Sequence, residues 1–541
     1  MSFFSCYKGD HPAYSIYFII LVLISICFSP LSSIAQHHSM GPDLDKEMDL
    51  RTEALGTFSM EISSKADQVQ AWFDQGIQLK YAFAVDDAAR SFREAWKRDS
   101  TCAICYWGEA WALGAYLNGK LSKKKAPLAL EAIQKADKYA NKYANPVEKA
   151  LIKAMKVRYI EDFEPETAPL QDTAYAMAMK KVYEKFPFDL DVATIYAEAL
   201  FLLEPRRGSR DINDPDVMRI HKILEKVLEI DVQHPGACHL YIHATESTQN
   251  PERALACAEY IGNAIPGASH LNHMPSHTYN ELGMWPEAVK ANLQAWHSDQ
   301  KAKEGKAFAI YPSHNLHMLL FAASYDGQGA VAIQAGKDFA KVTHNNMYYA
   351  LTLMRFGRFD EMLHLGNRPD GTFSGAVWDF AMGYAHLKQG EADFAQVYLK
   401  RVKVVADTTE ATFRDHKVSH LLKIAAGILE GEMAWQAGEK EDAKAIFQQA
   451  VIQEDSLRWD EPEPMPFDSR HWLGALLMDM EDFAGAEKVY RMELEDHPNN
   501  GWSLFGLMKA LEAQGKDIKE VKKEFENRWS RSDIWLKSSR F

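Results

Sequence analysis

The sequence has no long basic stretch, few cysteines and, past residue 60, no strand-like alternation of apolar and polar residues. Each absence removes a class of protein. The formal charge is −14, and the basic runs are as short as "LSKKKAP" (Lys123 to Lys125) and "EPRRGSRD" (Arg206, Arg207, Arg210). That argues against nucleic-acid binding, because neutralising phosphates needs a basic face. Both runs read as solvated loops. Of six cysteines, Cys102, Cys105, Cys238 and Cys257 follow the N-terminal segment, too few for a disulfide scaffold. "CAIC" has redox spacing but sits in a helical pattern without a βαβ context, and no haem-attachment histidine follows it. A local disulfide and buried thiols both stay open there. Also missing are the G-x-S-x-G elbow, the phosphate-cradling Gly-Lys-Ser loop and the dinucleotide fingerprint; "DGQGA" is a glycine pair at a helix turn.

One apolar run is present, "YSIYFIILVLISICFS", too short for a comfortable membrane span and preceded by a region containing Lys8. "SPLSSIAQHH" follows, with Ser33 and Ala35 in the small-x-small pattern of a cleavage site. Residues 1–35 therefore read as an export signal, giving a periplasmic or other extracytoplasmic chain with no transmembrane segment after cleavage. A retained signal anchor, leaving the chain tethered, is the rival. Residues 36–58 read as a flexible linker.

From residue 59 to 541, apolar residues recur at helical spacing with short turns. Three stretches show the same grammar: Gly76, Ala88 and Phe92; Gly431, Ala443 and Phe447; Gly474, Ala486 and Tyr490. A glycine precedes an alanine by twelve positions, and an aromatic follows four later. Small residues let two helices approach, and the aromatic fills the gap to the next pair. The pattern resembles the tetratricopeptide repeat (TPR) family. "HLYIHATES", "HMPSH", "CAICYWGEAWALG", "PNNGWSLFGL" and the terminal "SRF" also resemble a subgroup of exported bacterial TPR proteins. The resemblance implies an all-α solenoid of helix hairpins, a right-handed superhelix of roughly ten repeats with about 34 residues each. It also implies a concave groove, lined by each first helix, that binds a protein or peptide. One departure from the subgroup is "FAVDDAARSF", which has no histidine where relatives are expected to read Phe-Asn-His.

Nine of the twenty histidines fall between 234 and 317, where an even spread would place about three. Counted back from each hairpin turn, the offsets thirteen, ten, six and three define one helical stripe. It carries His239, His243 and Glu246, then His270, His273 and His277, then His314 and His317. His344 and His471 extend it to later repeats. First helices lying roughly 8–10 Å apart let imidazoles converge on one ion, so the His-rich repeats 231–330 read as a transition-metal site on the groove floor. Copper, zinc or iron would suit it. An acidic peptide or anion on that floor, and plain structural packing, are the alternatives. "HLYIH" lacks the adjacent glutamate of H-E-x-x-H, so no protease is inferred.

Three functions remain. The chain is a binding scaffold with a metal in its groove, a metal-dependent enzyme using the same cluster, or a metal-free peptide-binding scaffold. As an enzyme, a histidine-only pair of ions suits copper or iron oxidoreductase chemistry, whereas Glu246 as ligand or base suits zinc or manganese hydrolysis. Pro275 either kinks the helix bearing His270 and His273 or marks its first turn. The loop "WDEPEPMPFDSRHW" reads as a solvated connector, the alternative being that Asp460, Glu461 and Glu463 fold across the groove.

Overall fold

A computed structural model describes residues 43–205 and 208–541. The expected signal segment and the pair Arg206 and Arg207 lie outside the described residues. The described chain is a succession of helix hairpins, from Val69–Tyr81 with Val85–Arg98 to Gly501–Ala513 with Lys519–Arg528. The described strands are a two-stranded ribbon, Thr412–Phe413 with His416–Lys417. No described helix is long and apolar enough to cross a membrane. The chain is thus an all-α helical-repeat solenoid.

The glycine–alanine–aromatic grammar is what holds successive hairpins together. A Cβ on Gly76 would meet the Phe92 ring at 2.7 Å, and one on Gly108, in the next repeat, would meet the same ring at 2.5 Å. Phe92 is fully buried between them. Gly431 and Phe447 repeat the arrangement, as does Tyr490 between Gly474 and Gly506. Glycine is needed because an aromatic ring occupies the volume of its missing side chain.

The inner helices are buried all round. Every residue of Ala103–Leu113 and of Pro235–Thr245 is buried, as expected of helices apolar on both faces. What covers them is the chain itself. Tyr116 and Tyr311 hydroxyls meet at 2.7 Å, Trp285 Nε1 donates to Pro498 O at 2.9 Å, and Trp502 Nε1 donates to Ser324 O at 2.9 Å. The central repeats are therefore packed between the N-terminal and C-terminal ones, and the expected open groove floor is enclosed at the histidines. The expected linker is likewise docked over its described part, 43–58. Leu44 and Ala54 are buried, Arg51 Nη1 donates to Ala307 O at 2.8 Å, and Gly267 N donates to Ala54 O at 2.8 Å. Its apolar side chains and backbone donors find partners on the central repeats, which makes it a strut.

The four described cysteines pair as Cys102 with Cys105 and Cys238 with Cys257.

Candidate metal centre

Three helical segments deliver the histidines. Pro235–Thr245 supplies His239 and His243 four residues apart on one face, with Glu246 as its C-cap. The second segment is broken: Ser269–His273 carries His270 and His273, and Pro275–Glu281 carries His277. Met274 between them keeps right-handed helical angles (φ −51°, ψ −35°), and its N–H still reaches His270 O at 3.1 Å. Pro275 thus removes a hydrogen bond without turning the helix away, and all three rings stay on one side. Pro312–Tyr325 supplies His314 and His317.

Seven of the eight expected residues converge. His239, His243 and His270 bring ring nitrogens within 4.8 Å of one another, and so do His273, His277 and His314. Facing nitrogens are closer: His239 Nε2 lies 3.1 Å from His270 Nε2, and His273 Nε2 lies 3.3 Å from His277 Nε2. Bonds of about 2.0–2.1 Å to a common ion fit those separations. These His-rich groups are positioned to hold metal.

The carboxylates stand behind the rings. His243 Nδ1 meets Glu246 Oε1 at 3.0 Å, and His277 Nδ1 lies 2.6 Å from Glu246 Oε2. A carboxylate there puts the proton on Nδ1 and leaves Nε2 as the lone-pair nitrogen, the arrangement that orients metal-binding histidines. His239 is set the same way by Tyr81 O, 2.5 Å from its Nδ1. Glu246 therefore joins both triads through their back nitrogens.

The loop expected as a solvated connector is buried and closes the site. Glu461 is 6% exposed, with Oε2 3.0 Å from His277 Nδ1. Its anchor is Arg414, at the turn of the small ribbon, which donates to Asp460 Oδ2 at 2.7 Å and to Pro462 O at 2.5 Å. Trp459 Nε1 donates to Glu281 Oε1 at 3.1 Å. Prolines and acids signal a solvated loop only when no guanidinium awaits them; Arg414 is 46 residues away from Asp460 in sequence, which is why the sequence did not show it.

His317 stands apart from the triads. Its Nδ1 lies 2.8 Å from Arg414 Nη2, its ring centroid lies 4.0 Å from that of Tyr348, and it joins neither group of converging imidazoles. His344 lies outside the stripe too: it ends Gly329–Thr343, in a left-handed conformation. Unforeseen neighbours are Phe83, whose ring is 4.1 Å from His239, and Tyr311, 5.1 Å from His270. Phe83 opens the stretch that departs from the subgroup pattern, and Val85 there is buried.

The electrostatics keep most rings ready to ligate. Burial, then the neighbouring imidazoles, push His239, His270 and His273 well below the ordinary histidine range, so they stay neutral. Burial would lower His277 as well, but Glu246 and Glu461 outweigh it and pull it up to about 9. Burial and Glu461 raise Glu246, whereas His243 and His277 prevail and hold it below the usual carboxylate range.

No protein-family model and no curated protein matches the chain. Among solved structures it is similar to the human IFIT1 dimer with m7Gppp-AAAA, at 11% identity over 86% of this chain and 97% of that one, with a TM-score of 0.31. It is also similar to the P58(IPK) TPR domain, at 11% identity over 83% of this chain and 98% of that one, TM-score 0.22. The Cut9 and Hcn1 hetero-tetramer of the APC/C follows, at 12% identity over 85% of this chain and 76% of that one, TM-score 0.29. None of these likenesses bears on the histidine cluster, and the helical-repeat fold rests on the chain's own hairpins.

Proposed function

We propose that the chain is a metal-dependent oxidoreductase with a dinuclear copper centre. One ion is bound by His239, His243 and His270, and the other by His273, His277 and His314. The observation that carries this reading is Glu246, whose two oxygens lie against Nδ1 of one ring in each triad. With the carboxylates acting through Nδ1, the ligating donors are imidazole nitrogens, a set that favours copper among first-row divalent ions; ligation by His243, Glu246, His277 and Glu461 together is the zinc or manganese alternative. Three protein ligands per ion leave positions open for oxygen or substrate, whereas a structural site would be closed by four. A helical-repeat scaffold fits a binding role, but five of the six histidines are buried and only His314 is partly exposed, which keeps most of the ligands from a partner on the surface. The two cysteine pairs support an exported chain in an oxidising compartment.

Elemental analysis of protein purified without chelator tests the reading. Two copper ions per chain are expected, with visible absorption on exposure to oxygen and oxidation of a phenol. His273→Ala should release metal with helical content nearly intact. Zinc or manganese with hydrolytic activity would replace this reading with a hydrolase, in which Glu246 or Glu461 handles the proton. Absence of metal, with folding and partner binding unchanged, would leave a scaffold.

A further inference from the structure

A second group of ligand-type residues lies in the C-terminal repeat, at the far end of the loop that brings Glu461 to the histidines. Asp468, Glu493, Asp496 and His497 place one ligand atom each within 4.8 Å of the others. Glu493 and Asp496 are on Phe483–Asp496 and His497 is its C-cap. The spacing of three and four keeps them on one face at the helix's negative end, which favours a cation. Asp468 arrives from the end of the loop.

Two details point to a bound ion. His497 Nε2 lies 3.3 Å from the Tyr325 hydroxyl and 3.5 Å from Glu463 Oε1. Its Nδ1 faces Glu493 Oε1 at 3.2 Å but lacks hydrogen-bonding geometry, and Glu493 Oε2 is likewise without a partner among the described residues. Both residues are more than nine-tenths buried. A ring anchored through one nitrogen, with the other turned toward carboxylates, is how a metal-ligating histidine is set. Exposed Asp496 gives an ion a way in.

We propose that Asp468, Glu493, Asp496 and His497 form a divalent-cation site, separate from the histidine triads. Three carboxylates and one imidazole suit Mn²⁺ or Zn²⁺ rather than copper. The site does not depend on the oxidoreductase reading.

Full-length protein carrying His243→Ala and His277→Ala, which disables both triads, should be stripped of metal and titrated with Mn²⁺. Electron paramagnetic resonance should count one bound ion per chain, and pulsed measurements should show coupling to a single imidazole nitrogen. Adding Glu493→Gln should weaken binding by more than about tenfold, with far-ultraviolet circular dichroism unchanged. Adding His497→Ala to the triad-disabled chain should abolish the single-nitrogen signature. No bound Mn²⁺ or Zn²⁺, coupling to no nitrogen or to several, or unchanged affinity in Glu493→Gln would each overturn the proposal. If Glu493→Gln fails to fold, the nitrogen count in its parent decides. Loss of copper from the triads with Mn²⁺ still bound would sink neither site's assignment to its own ion, so the two readings fail separately.

Discussion

Replacing Glu246 with glutamine is the sharpest test of how the histidine centre is organised. The side chains have the same shape, so packing is preserved, but glutamine has one acceptor oxygen and one donor nitrogen where glutamate has two acceptors. In the native chain those acceptors lie 3.0 Å from His243 Nδ1 and 2.6 Å from His277 Nδ1. Whichever ring faces the new NH₂ must accept there, which moves its proton to Nε2 and removes its lone pair from the ion. Keeping the ligating tautomer would instead press two donors together in a buried site, costing about 1–3 kcal/mol. That corresponds to about 5–150-fold in affinity, a range that spans the usual scale for losing an orienting partner. The loss falls on one ion of the pair, because the glutamine oxygen still serves the other ring. Equilibrium dialysis against copper, with elemental analysis at each concentration, should therefore resolve two equal sites into one tight and one weakened. Glu461→Gln is the comparison. Its carboxylate meets His277 Nδ1 at 3.0 Å, so weakening should fall on the His273–His277–His314 ion. Two ions bound by Glu246→Gln with native affinity would refute the orienting role of Glu246 and with it the assignment of Nε2 as the donor.

Other perturbations probe the fold and its supports. Gly474→Ala should destabilise the C-terminal repeats by about 1–3 kcal/mol, since its Cβ would meet the Tyr490 ring at 2.5 Å and Tyr490 is pinned on the far side by Gly506; urea melts followed by local hydrogen exchange would show it, and an unchanged melt would contradict the interlock. Asp299 is buried and its carboxyl is pushed up to about 7, chiefly by burial. Its folded pKa exceeds the unfolded value, so its contribution to stability is full at low pH and is lost as pH rises from about 4 to about 7, by up to about 1.4 kcal/mol per unit. Asp299→Asn should flatten that part of the stability–pH curve in chemical denaturation at pH 5 and 8, and equal slopes would count against it. Arg414→Ala should free Asp460 and Pro462, detach the loop and speed proteolysis there, with the helical signal unchanged; native resistance would show the loop is held otherwise.

The repeat architecture was legible in the sequence because its signals are local. Gly76 and Phe92 are sixteen residues apart, and the period recurs in register, so the helix pairing follows from spacing alone. The histidine stripe was legible for the same reason: His239, His243, His270, His273 and His277 sit on helices whose phase the turns fix. What spacing does not carry is contact between distant repeats. Nothing in "FAVDDAARSF" indicates that Phe83 lies 4.1 Å from His239. The guanidinium beside His317 is likewise 97 residues away. His317 illustrates the limit of a periodic argument, since phase selects which face a residue is on but not which partner reaches it first. The reading of Glu246 changed for a related reason. Its place three residues after His243 allowed ligand, base or bridge, and the choice depends on its second oxygen, which meets His277 from another repeat.

The same long-range closure explains how so many polar groups can be buried at one place. In a simple solenoid each repeat touches only its neighbours, so its inner surface faces solvent and histidines there would be hydrated. Here the docked strut at 43–58, the N-terminal repeats and the C-terminal repeats cover the central helices, and the loop at 459–468 seals the remaining side. Each covering element also supplies something to the rings it covers: Tyr81 O for His239, Tyr311 beside His270, Glu461 for His277. Desolvation is what keeps His239, His270 and His273 neutral, so the enclosure also sets the protonation state that the proposed metal centre requires. A variant that opened the cover would therefore weaken the centre even if no ligand were touched.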